Sequence, residues 1–71
     1  GKNDMDEAIF MANRVVVMKS RPGFIKEIID VDLPRPRSYH VKTSEKFAKY
    51  KNRAMDLIRE ESMKSMNGLK N

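Results

Sequence analysis

The sequence predicts an α+β fold: a short helix, an antiparallel β-hairpin, a proline-rich strap and a long C-terminal amphipathic helix. Three observations predict it. Three consecutive β-branched residues, Val15, Val16 and Val17, favour a strand over a helix. Pro22 and Gly23 separate that run from a second one, as a hairpin turn does. Apolar residues from Phe47 to Ile58 then recur at steps of three and four, the period of a helix buried along one side.

The first helix is expected over 4–13. Asp4 and Glu7 have the spacing of a capping box, and Asp6 adds negative charge where the helix dipole favours it. Met5, Ala8, Ile9 and Ala12 make one apolar face, which Phe10 and Met11 widen. The hairpin is expected over 14–33. Its first run, Arg14 to Met18, does not alternate, so both its faces should be covered. A 71-residue chain has little material to do that, which suggests an excerpt of a larger domain. In the second run Ile25, Ile29, Val31 and Leu33 share one face, and Lys26, Asp30 and Asp32 the other.

The strap is expected over 34–43. Pro34 and Pro36 each push the preceding residue out of the helical region, so the segment should be extended and superficial. The last helix is expected over 44–64, capped by Thr43 or Ser44 and stopped near Asn67 and Gly68. Its stripe is Phe47, Tyr50, Ala54, Leu57 and Ile58. Met5, Met11, Met18 and Met55 fall where core residues are expected.

Composition narrows the chemistry. The chain has no cysteine and one histidine, so it offers no disulfide, no thiolate site and too few donors for zinc. Its glycines are isolated, and no phosphate loop or nucleophile elbow occurs. His40 lies in a polar strap without a placed carboxylate partner. Asp4, Asp6 and Glu7 read as capping groups before they read as metal ligands, and Asp30 and Asp32 as a solvent face before paired acids. No apolar run approaches the ~20 residues of a membrane span. The net charge of +5 raises the possibility of a nucleic-acid surface through Lys46, Lys49, Lys51 and Arg53. The aromatics lie on the apolar stripe and most cations off it, which favours a core-packed helix with a basic outer face.

The stretch from Asp4 to Met18, with its Glu7-Ala8 helix start and its Asn13-Arg14 entry to a valine-rich strand, resembles the segment after the switch histidine in ATP-binding subunits of ABC transporters. Lys19 to Gly23, Ile25 to Ile29 and Asp30 to Arg37 resemble the nitrate/sulfonate/taurine branch of the importers. The terminal helix from Phe47 to Glu61 is similar too, so the likeness covers residues 4–61.

The resemblance implies the C-terminal part of a nucleotide-binding domain. That part would complete the domain's sheet, back its switch loop and have no activity alone. It places Asn3 at the switch-histidine position, where the side chain can donate a hydrogen bond but not carry a proton as histidine does. ATP and Mg²⁺ would be held by motifs that precede this segment in the family, not by the segment. The implied partners are the rest of the ATPase domain, a second ATPase subunit and a transmembrane permease, with the protein peripheral on the cytoplasmic face of the membrane. Two other readings stand beside this one: a small basic nucleic-acid-binding module, and a helical module that dimerises or regulates through the stripe.

Overall fold

The computed structural model describes residues 2–21 and 23–69, so Pro22, half of the anticipated turn, lies outside the described residues. The order is helix α1 (Lys2–Met11), strand β1 (Arg14–Met18), strand β2 (Ile25–Asp30), a 3₁₀ helix (Tyr39–Thr43) and helix α2 (Glu45–Leu69). This is the α+β architecture anticipated. The extents of 47 × 20 × 18 Å are set largely by α2, whose 25 residues span about 37 Å at 1.5 Å each.

β1 and β2 form a two-stranded antiparallel sheet, with Arg14 opposite Asp30 and Val16 opposite Ile28. The amide of Lys19 closes the loop on the carbonyl of Phe24 at 2.9 Å. Gly23 has φ of 87°, the left-handed backbone that glycine adopts without a Cβ penalty. The register breaks between Val17 and Met18: Glu27 faces Val17, but Ile25 faces Met18, leaving Lys26 without an opposite residue. That β-bulge shifts the alternation by one. Ile25, expected inside, is exposed, and Lys26, expected outside, keeps only 10% of its side chain in solvent. The regular strand also ends at Asp30, although Val31 and Leu33 stay buried.

α1 starts two residues before its anticipated cap. Asp4 therefore sits in the first helical turn rather than at the N-cap, and Glu7 pairs with Lys42 instead of closing a capping box. The helix stops at Met11 because the chain peels into the sheet region, where the Asn13 carbonyl accepts from the amide of Val31 at 2.8 Å.

α2 begins as the sequence suggests. The Ser44 hydroxyl accepts from the amide of Phe47 at 3.1 Å, an N-cap contact. Its far end differs, because the helix continues through Asn67 and Gly68 to Leu69. Both residues permit termination without compelling it.

The inner face of the hairpin packs between the helices. Ile9, Val31, Leu33 and Phe47 form one buried group, and Val17, Ile29, Ala54 and Leu57 the other. Met5, Val15 and Tyr50 touch both. Ile58, at the end of the stripe, is half exposed, and of the four methionines assigned to the core only Met5 is half-buried. Met11, Met18 and Met55 are exposed, since no described segment packs over them.

Candidate functional site

Asn3 lies in the first turn of α1, and its side chain is outside the described residues. His40 is exposed in the 3₁₀ helix, and its carbonyl accepts from the Thr43 hydroxyl at 2.7 Å. Among the described residues no group of three or more histidines, cysteines or acids is placed to hold a metal ion. No described helix is long and apolar enough to cross a membrane.

The chemistry instead gathers at two polar junctions and one apolar surface. The first junction is in the strap. The Arg37 guanidinium donates to the carbonyls of Phe10 at 2.9 Å, Ala12 at 2.7 Å, Val31 at 3.1 Å and Leu33 at 3.3 Å. It also reaches the carbonyl of Ile9 at 3.4 Å. Arg35 donates to the carbonyl of Met11 and to Asn13 Oδ1, both at 3.0 Å. Burial pulls the Arg37 guanidinium below its ordinary pKa, and the neighbouring Arg35 charge adds to the shift. The Arg35–Pro36 peptide bond is cis. The strap is therefore not the detached surface segment its prolines suggested, since it turns its arginines inward onto the end of α1.

The second junction is at the hairpin turn. Glu61 on α2 is buried, and it accepts from Lys26 Nζ, from the amide of Ser20 at 3.1 Å and from Lys64 Nζ at 3.2 Å. The Lys26 hydrogen bond, joined by the Ser20 amide, lowers the carboxyl pKa to about 2. The same lysine bonds Glu60 at 3.2 Å, so the residue left over by the bulge clasps two carboxylates.

The apolar surface is the outer face of the hairpin. Val16, Met18, Ile25 and Ile28 are each about half exposed there, with Phe24 at the turn. Along β1 a groove lined by Met5, Ala8, Val16, Met18, Ala54 and Ile58 continues it. The expectation that both sheet faces want cover is thus met on one side only.

Neither rival reading gains from the geometry. Of the cations offered for nucleic acid, Lys46 pairs with Asp32 at 3.1 Å, Lys51 with Asp6 at 2.8 Å and Arg53 with Glu27 at 2.6 Å. The stripe offered for dimerisation is largely internal, with Phe47, Ala54 and Leu57 buried against the chain's own hairpin.

Comparison with known proteins gives this arrangement its context. The chain is 41% identical over 64 residues to an uncharacterized ABC transporter ATP-binding protein of Methanocaldococcus jannaschii, covering 90% of this chain and 23% of that protein. It is 43% identical over 53 residues to the aliphatic sulfonates import ATP-binding protein SsuB of Bacillus cereus, covering 75% of this chain and 20% of the relative. It is 36% identical over 63 residues to the nitrate import ATP-binding protein NrtD of Synechocystis, covering 80% and 24%. The homologues of this chain are thus ABC transporter ATP-binding proteins, sulfonate and nitrate importers among them. The chain spans under a quarter of the length of these relatives, as a segment of such a protein does. No family model matches the chain, and no solved structure does.

Proposed function

We propose that this chain is the C-terminal segment of the ATP-binding subunit of an ABC importer for nitrate- or sulfonate-type anions. Its role there is structural and coupling, and alone it does not hydrolyse ATP. The ordered match to importer ATPases over most of the chain carries the reading. The half-exposed face of Val16, Met18, Ile25 and Ile28 supports it, because a domain several times longer has the material to cover that face.

In this reading the segment does not itself hold ATP and Mg²⁺. The described residues offer no acidic cluster for the ion, and Gly23, the described glycine with positive φ, serves a hairpin turn rather than a phosphate nest. The rest of the domain would supply that site. In this reading the chain's own contribution is α1, whose first turn includes Asn3, the residue that would take the switch position. The partners this implies are the remainder of the ATPase domain, a second ATPase subunit and a membrane-embedded permease, with the assembly on the cytoplasmic face of the membrane.

The test is to sequence the gene upstream of residue 1, express the full reading frame and assay it beside the 71-residue chain. ATP turnover by the full product and none by the chain is expected. A full product without a phosphate-binding loop would sink the assignment.

A further inference from the structure

A helix leaves its last carbonyls without intrahelical partners, and these need donors. α1 ends without the left-handed residue that usually supplies them, since no described non-glycine residue has positive φ. The strap supplies them instead. Arg37 takes the carbonyls of Phe10 and Ala12, and Arg35 takes that of Met11, so two cations meet the negative end of the helix dipole.

The same Arg37 group also holds the carbonyls of Val31 and Leu33, where the chain leaves the sheet. One planar fork therefore joins helix, sheet exit and strap. A lysine at this place would keep the charge but could not spread its donors over carbonyls on both sides.

We propose that Arg37 is a positioning residue, which sets the angle of α1 on the hairpin and makes the strap the element that controls it. Other contacts hold α1 farther along. Lys42 bonds Glu7 and lies 5.1 Å from the Phe10 ring and 4.9 Å from Tyr39, and Lys51 pairs with Asp6. These act through side chains of the helix, whereas among the described residues the two arginines are the side chains that bind its terminal carbonyls. The consequence for catalysis rests on the function proposed above: α1 carries Asn3, so loosening Arg37 would misplace the switch turn and slow turnover without weakening nucleotide binding.

The experiment has two arms. In the 71-residue chain, Arg37→Lys and Arg37→Gln are compared with the natural chain by amide hydrogen exchange. Exchange at Ala8 to Ala12 is expected to rise on the order of tenfold or more, the factor that one lost charged hydrogen bond represents. Cross-strand amides of Val15 to Val17 should hold. Unchanged α1 exchange, or full protection retained by lysine, overturns the proposal. If either variant fails to fold, Arg35→Gln, which removes hydrogen bonds to Met11 and Asn13, must still raise α1 exchange selectively, and equal loosening of the hairpin overturns it.

In the complete ATPase, Arg37→Lys is expected to lower kcat about tenfold with KM for ATP unchanged within about twofold. A rise in KM alone, or no change, removes the positioning role while the family assignment stands. An unmutated full product without ATPase activity removes the proposed function and this catalytic consequence together, and the exchange arm still decides the clamp.

Discussion

Glu61 accepts a hydrogen bond from the backbone amide of Ser20, 41 residues earlier in the chain, at 3.1 Å. The contact ties the second half of α2 to the hairpin turn, and Lys26 beside it turns the tie into an ion cluster.

This carboxylate sets an acid limit. Its folded pKa is held at about 2, against 4.5 for a free glutamate, so the unfolded chain takes up the proton first as pH falls. The contribution is complete above about pH 4.5 and gone near pH 2. Thermal melts between pH 7 and pH 2 should show stability falling through that window. Glu61→Gln should lower the melting temperature at pH 7 and flatten the fall. An equally steep fall in the variant would place the acid sensitivity on another group.

Phe47 is 2% exposed and joins α2 to Ile9, Val31 and Leu33. Phe47→Ala removes ~3–5 kcal/mol by the usual cost of such truncations. A 71-residue domain has a total stability of about 4–10 kcal/mol, so the variant should be largely unfolded or melt at far lower urea. Met63→Ala on the exposed side should stay within about 0.5 kcal/mol of the natural chain. Similar urea midpoints for the two variants would contradict the core described.

Ser44 supplies the N-cap of α2 through its contact with the Phe47 amide. Ser44→Ala should cost about 1 kcal/mol, and Ser44→Asp should recover most of it. Urea denaturation measures both. A neutral alanine would mean that the 3₁₀ helix, not the hydroxyl, starts α2.

What the sequence made legible follows from how local each signal is. β1 was readable to the residue because three valines in a row act on their own backbone. The cap at Ser44 and the turn glycine at Gly23 are equally local. The inversion of Ile25 and Lys26 was not readable, because a bulge depends on how two strands pair and leaves no mark in either. Arg37 was missed for a related reason. Between prolines an arginine reads as surface, and its five carbonyl partners come from residues 4 to 28 positions away. The available hint was a helix ending without a glycine beside a strap carrying two arginines. As a site, Asn3 came only from resemblance, since nothing in its neighbours distinguishes it.

The outer hairpin face separates the chain alone from the chain in a larger domain. Ile28 is about half exposed and lies opposite Val16, so Ile28→Lys removes little burial in the 71-residue chain. Its urea stability should stay within about 0.5 kcal/mol, and its self-association should fall, because a charge on an apolar sheet face resists strand-to-strand pairing. In the longer ATP-binding protein proposed above, the same lysine would face a covering segment without a partner for its charge. Burying an unpaired ammonium costs several kcal/mol, so there the substitution should abolish soluble expression or drop the melting temperature sharply. Light scattering on the chain and thermal melts on the full product read the two halves. If the lysine were as harmless in the full protein as in the chain, this face would be open in both, and the covering role assigned to the rest of the domain would be wrong.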